Sequence, residues 1–246
     1  MFLNLNILAK FSLLSVGLFT LASCWLSPFP KDARGSLLRA RDGKLRVGVS
    51  ENIPWVDLTK ARPSGIEPHL VRRFASRLNS EIVWVRAAQS ELLDSLDHAG
   101  LELVIAGLQA DSPYASEVAI TTPYFRSKMV VAHFPSYSPP IKTLDGIRVG
   151  VKPDSFIEAL VKAQEGLPFP LQLPLSPTDL YAGCDYELEA WGASAIWKVL
   201  KKTDRVMAVA PGENAFLMEL ERFLNEEQKQ TRELLRAEAG GLVVSP

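Results

Sequence analysis

From Lys44 onward, short β-branched and aliphatic runs alternate with stretches of helical period, and this alternation restricts the chain to an α/β architecture. "KLRVGVS" ends at a polar residue, as a strand does. "EPHLVRRFASRLN" sets Leu70, Val71, Phe74 and Leu78 on one helical face, with Pro68 near its start. "EIVWVRA" predicts a second strand, "SELLDSLDHAG" a short helix closed by Gly100, and "LELVIAG" a third strand. Strands separated by helices need crossover connections, so the sheet is expected to be mainly parallel and flanked by helices on both faces.

The pattern restarts downstream. "KMVVAHF" reads as a strand and the proline-rich "PSYSPPIKTLDG" as a surface loop. "IRVGVK" and "DSFIEALVKAQEG" repeat the strand-then-helix unit, with Asp154 or Ser155 as the cap and Ser155 with Glu158 fitting a capping box. "YELEAWGASAIWKVLKK" reads as helix and "RVMAVAP" as strand; "ENAFLMELERFLNEEQKQTRELLRAEAG" predicts a long amphipathic helix or helix pair. No repeat of solenoid period is visible. The expectation is two α/β units in tandem with a helical tail.

Residues 1–24 have the layout of a secretory signal: Lys10, then the uncharged "FSLLSVGLFTLAS", then Cys24. Leu21-Ala22-Ser23-Cys24 resembles the bacterial lipobox, which implies a lipid on the Cys24 thiol. An uncleaved anchor is the alternative, because residues 7–26 are nearly long enough to span a bilayer. Either reading puts the rest of the chain in the periplasm or at the cell surface, tethered to a membrane, with residues 25–42 as linker. Lysine plus arginine number 27 against 28 acids, so there is no basic field to draw nucleic acid. With Cys24 lipidated, Cys184 has no cysteine to pair with. His69, His98 and His133 lack metal-ligand spacing, and no phosphate loop or nucleophile elbow is present. Neither metal, cofactor nor catalysis is therefore expected.

Four stretches carry a resemblance: "LRVGVSENIPW", "SGIEPHLVRRFASRLN", "LELVIAGLQADSPYASEVAITTPYF" and "LDGIRVGVKPDSF". In order and spacing they are similar to the bacterial extracellular solute-binding proteins of family 3, which serve polar amino-acid ABC transporters. The match runs over roughly residues 43–236. It implies a two-lobed clamshell of the type II periplasmic-binding fold, each lobe a mainly parallel sheet flanked by helices. Lobe 1 would be 43–125 with 206–246 and lobe 2 126–205, with the crossings near Tyr124 to Ser127 and Asp204 to Ala208. A monomer of this kind would hold a small polar solute, an amino acid or derivative, in the cleft and pass it to an ABC permease. A sensor or docking module with a degenerate site is one alternative. An extracytoplasmic enzyme using Glu51 with Asp185 as its carboxylate pair is another.

Residue by residue, the resemblance puts Trp55 at the position of the stacking aromatic and Glu51 beside it as an acid for a cationic group. The alternatives are a core or rim tryptophan and a solvated loop acid. Counting from Gly107, Gln109 falls on a threonine position, and the carboxylate-gripping arginine is replaced by Tyr114. A phenol offers one neutral hydrogen bond where a guanidinium offers a charged fork. Arg86, Arg126 or Lys152 is then the expected substitute, Lys152 matching a pocket lysine of several relatives. Asp185 resembles the ammonium-binding aspartate, with helix capping as its alternative. Glu67 and His69 are expected to serve structure.

Overall fold

The computed structural model describes residues 30–41, 43–98, 100–113 and 118–244. The leader, Cys24 and Tyr114 lie outside the described residues. The strands are β1 (Lys44–Val49), β2 (Glu81–Arg86), β3 (Leu103–Gln109), β4 (Ala119–Ile120), β5 (Phe125–His133), β6 (Arg148–Val151), β7 (Leu167–Pro170), β8 (Leu180–Cys184) and β9 (Ala195–Val209). The helices are α1 (Ser36–Ala40), α2 (Ile66–Arg77), α3 (Gln89–Asp97), α4 (Phe156–Lys162), α5 (Asp185–Ala190) and α6 (Asn214–Val244).

All nine strands join in one mixed sheet, ordered β2-β1-β3-β9-β5-β8-β6-β7, with β4 against the end of β9. Each end is parallel, as crossover helices require: β1 pairs with β2 and β3, and β6 with β7 and β8. The middle is antiparallel, because β5 and β9 run beside each other from Phe125↔Arg205 to His133↔Ala195. Beyond Arg205, β9 continues against β3 as far as Leu103↔Val209. One strand of 15 residues therefore belongs to both halves of the sheet.

The apolar periodicity of the sequence becomes four core clusters. Leu45, Val47, Leu70, Phe74 and Phe216 lie on one face of the β1–β3 half, and Leu92, Leu96, Val104 and Val206 form the core beneath α3. The other half is filled by Val149, Val151 and Val161 around α4, and by Val130, Tyr181 and Leu188 around α5. Ser155 caps α4 as expected, its Oγ accepting from the Glu158 N–H at 3.2 Å, while the Glu158 carboxylate returns to the Asp154 N–H at 2.8 Å. α6 is continuous. Phe216, Leu220, Phe223 and Leu224 enter the first cluster, and further along Ala239 O accepts from Trp191 Nε1 at 2.9 Å beside an Arg236–Glu189 ion pair at 2.6 Å.

One predicted element is different. The stretch read as a helix over 186–202 is helical only as α5, and Ala195 onward is strand. Gly192 stands at φ +92°, a left-handed conformation that stops the helix. Pairing with β5 along its whole length then overrides the helical propensity of "WKVLKK". β7 and β8 carry no periodicity beyond four or five residues and are additions to the expected element order.

Candidate functional site

Near its end β3 is kinked at Gly107, φ +59°, where its register against β9 shifts between Val104 and Leu108. A side chain at this position would be strained by its backbone and would meet Asn52 Nδ2 at 2.7 Å and the Trp55 ring at 2.9 Å, so glycine is required twice over. Asn52 Nδ2 donates to Ala106 O at 2.8 Å, fixing the β1–α2 loop on the end of β3. That loop delivers Trp55, which is 2 % exposed and packs on Tyr124 (6.2 Å between centroids) and Phe125 (5.5 Å), at the start of β5.

The other face of Trp55 carries the Arg205 guanidinium, 4.7 Å from the ring centroid. Arg205 Nη1 donates to Gly107 O, whereas its buried Nε finds no acceptor, and among the described residues it has no ion-pair partner. Beneath lies Glu67, fully buried, accepting from Gly107 N at 2.9 Å and Tyr124 Oη at 2.7 Å. Burial pushes its carboxyl up to about 7, against the opposing pull of those two donors and Arg205. On the β8 side, burial pushes the Cys184 thiol up to about 12 and the Tyr186 phenol far above its ordinary value, so both are neutral at physiological pH. Cys184, not Asp185, caps α5; Glu187 reciprocates in a capping box.

Beside this packed floor is an open cleft of about 310 Å³, lined by Asn52, Gln89, Gly107, Leu108, Gln109, Asp111, Ser112 and, from β9, Lys201. Apart from Gly107 and Leu108 these are amides, a hydroxyl and two charges. The charges pair across it, Lys201 Nζ to Asp111 Oδ2 at 3.0 Å, and Lys201 Nζ also lies 5.3 Å from the Phe156 ring at the start of α4. Its volume is at the lower end of small-molecule sites.

Of the sequence candidates, Gly107 and Gln109 line this cleft, and Trp55 adjoins it as a core residue behind Gly107. Glu51 is exposed and accepts from Leu58 N at 3.4 Å. Lys152 is exposed at the end of β6, its carbonyl accepting from Ser155 Oγ at 2.6 Å. Asp185 accepts from Lys128 N (3.2 Å) and Tyr186 N (3.0 Å) and lies 3.8 Å from Arg232. Arg86 spends its guanidinium on the carbonyls of Leu58, Lys60 and Ala61. The cations that do reach the region, Lys201 and Arg205, escape sequence reasoning because their segment reads as a helix and the strand that follows it. No period-two alternation marks 196–205, because the register of β9 against β5 shifts between Met129 and Val130 and again between Val131 and Ala132.

A model of the bacterial extracellular solute-binding proteins, family 3, matches residues 45–237. Among solved structures, the L-cystine solute receptor of Neisseria gonorrhoeae in its unliganded open conformation is 18 % identical, with a TM-score of 0.59 over 86 % of this chain and 100 % of that one. An ancestral cationic amino acid solute-binding protein is 16 % identical, with a TM-score of 0.58 over 82 % of this chain and 97 % of that one. An ancestral cyclohexadienyl dehydratase is 14 % identical, with a TM-score of 0.58 over 87 % and 98 %. No curated protein matches the sequence. At these identities the structural likeness speaks for the fold, a two-lobed α/β clamshell, and for nothing finer.

Proposed function

Because the chain belongs to the bacterial extracellular solute-binding proteins of family 3, we propose that it captures a small polar solute, an amino acid or derivative, outside the cytoplasm and presents it to an ABC permease. The observation that carries this reading is the polar cleft of about 310 Å³ at the end of β3, bounded across from Gln109 and Asp111 by Lys201 of β9. Loops at strand ends beside a paired crossing are where an α/β sheet accepts ligands.

In this reading residues 43–125 with 206–246 form one lobe and 126–205 the other. The paired β5 and β9 support it, since they are the strands that pass from one half of the sheet to the other. Solute touching both lobes stabilises the closed arrangement, and binding is a population shift between open and closed forms. Cys24 carries the lipid that keeps the clamshell near its membrane partner. Among the described residues no helix is long and apolar enough to cross a membrane. The protein acts as a binder; turnover of a bound acid would contradict that.

The test is a thermal-shift screen of the full chain in detergent against amino acids, their decarboxylated amines, small organic acids and short peptides. A solute that binds the native state raises the midpoint by mass action. A reproducible, saturable rise with one chemical class is the expected result, and silence across the screen refutes the reading.

A further inference from the structure

We propose that the second half of α6, from Arg232 to Ala239, is a latch: it holds the two halves of the sheet at one separation, and they move apart or together only when α5 slips along it. This goes beyond the solute-binding reading and rests on it for the two halves moving as lobes. α6 begins in one half and ends on the other. Phe216, Leu220, Phe223 and Leu224 pack it into the core of the β1–β3 half. Further along it meets α5, which follows β8 directly. Arg232 Nη2 donates to Arg126 O at 2.9 Å, and its guanidinium lies 5.1 Å from the centre of the Phe125 ring and 3.8 Å from Asp185. One turn on, Arg236 Nη2 bonds both oxygens of Glu189 at 2.6 Å. Next, Ala239 O accepts from Trp191 Nε1 at 2.9 Å.

Arg232, Arg236 and Ala239 recur at helical spacing, so they form one stripe along α6 that faces α5 and its C-cap residue Trp191. The apolar contacts follow the same line. Leu235 is buried in the first core cluster together with Tyr186 of α5, and Tyr186 meets Phe125 edge to face at 5.8 Å. Burial and the Asp57 carboxylate of the β1–α2 loop push the Glu238 carboxyl up, which places the same turn of α6 between the two halves. The paired β5 and β9 join the halves as a two-stranded ribbon, and a second tie beside a ribbon fixes the angle at which it is bent. This tie is of a kind that can be undone. Arg236 and Glu189 are 41 % and 43 % exposed, so water screens their attraction and parting them costs little. Arg236 Nε is buried without an acceptor, a cost that a shift of α5 along α6 relieves.

The experiment measures the separation of the two edges of the sheet by double electron–electron resonance, on the full chain in detergent and without solute. Spin labels sit at Glu81→Cys on β2 and Leu167→Cys on β7, both exposed. A Cys24→Ser background leaves Cys184 as the one native thiol, and burial keeps it neutral and unreactive at pH 7. This reference chain is expected to give one narrow distance. Trp191→Phe with Arg236→Ala removes the Nε1 bond and the ion pair, and Ala239→Gln wedges a longer side chain into a position that is 5 % exposed. Each should add a displaced population above roughly 10 %, the upper level of an ordinary minor state. Met218→Ala, at an exposed position in the first half of α6, should add none. Unfolding midpoints of the same samples separate a fall in stability from a change of separation. If both latch variants keep the single reference distance, or Met218→Ala displaces it equally, the latch is overturned while solute binding is judged by its own screen. Two well-populated distances in the reference chain have the same meaning. If the variants add the displaced population and no solute binds, the tie between the halves stands and the solute-binding reading alone falls.

Discussion

Replacing Glu67 by glutamine should flatten the pH dependence of stability, and the size of the effect follows from the site. The carboxyl is fully buried, and its pKa stands at about 7 against an ordinary 4.5 because burial outweighs the donors from Tyr124 and Gly107. The native state thus holds a proton that the unfolded chain has already lost between pH 4.5 and 7. Stability from this group is complete below 4.5 and is lost as pH rises through 7. At ~1.4 kcal/mol per pH unit the loss totals about 3 kcal/mol. A glutamine side chain reproduces the protonated form: its oxygen accepts from Gly107 N, and its amide donates to a Tyr124 hydroxyl turned to accept. Urea unfolding of wild type and Glu67→Gln from pH 4.5 to 8 should give curves that meet at the acid end and diverge toward pH 8, the variant being the more stable there. Other titrating groups cancel in the difference. Parallel curves would mean that Glu67 is ionised throughout and that Arg205 and the two donors outweigh its burial.

Trp55→Ala should cost about 3–5 kcal/mol, since a large ring leaves a site walled by Tyr124, Phe125 and Arg205. A urea midpoint close to wild type would show that Trp55 is a cleft wall rather than core. Trp191→Phe removes the Nε1 bond to Ala239 O and should cost roughly 1 kcal/mol. Amide exchange should then quicken around 236–241 of α6 and stay slow at 216–227; uniform quickening would contradict a local tie. Cys24→Ser should abolish metabolic labelling with a fatty acid, and labelling that persists would remove the anchor.

What is legible in the sequence is local pattern. Leu70, Val71 and Phe74 announce α2 because one face of that helix meets the core, and "KLRVGV" announces β1 because its aliphatic residues are buried. The long strand β9 is hidden for a physical reason: "AIWKVLKK" is a passable helix by propensity, and its extended form is imposed by β5, some 70 residues earlier in the chain. That misreading carries into the site. Gly107 and Gln109 can be found by counting from β3, whereas Lys201 comes to the cleft, and Arg205 to the Trp55 floor beside it, only once β9 is drawn as a strand. Glu67 stands out in the sequence only as an acid near the start of a helix. Its bonds to Tyr124 and Gly107 span 57 and 40 residues, which no local pattern encodes.

The first core cluster has a consequence for the order of biosynthesis. Leu45 and Val47 are packed with Met207, Phe216 and Phe223, so nearly the whole chain must exist before that cluster can close. Contacts this distant in sequence make folding slow. If the chain is exported as proposed above, the delay is useful: until the segment around 207–235 has been synthesised, the earlier strands have nothing to lock against, and the polypeptide stays pliable enough to pass through a translocation channel.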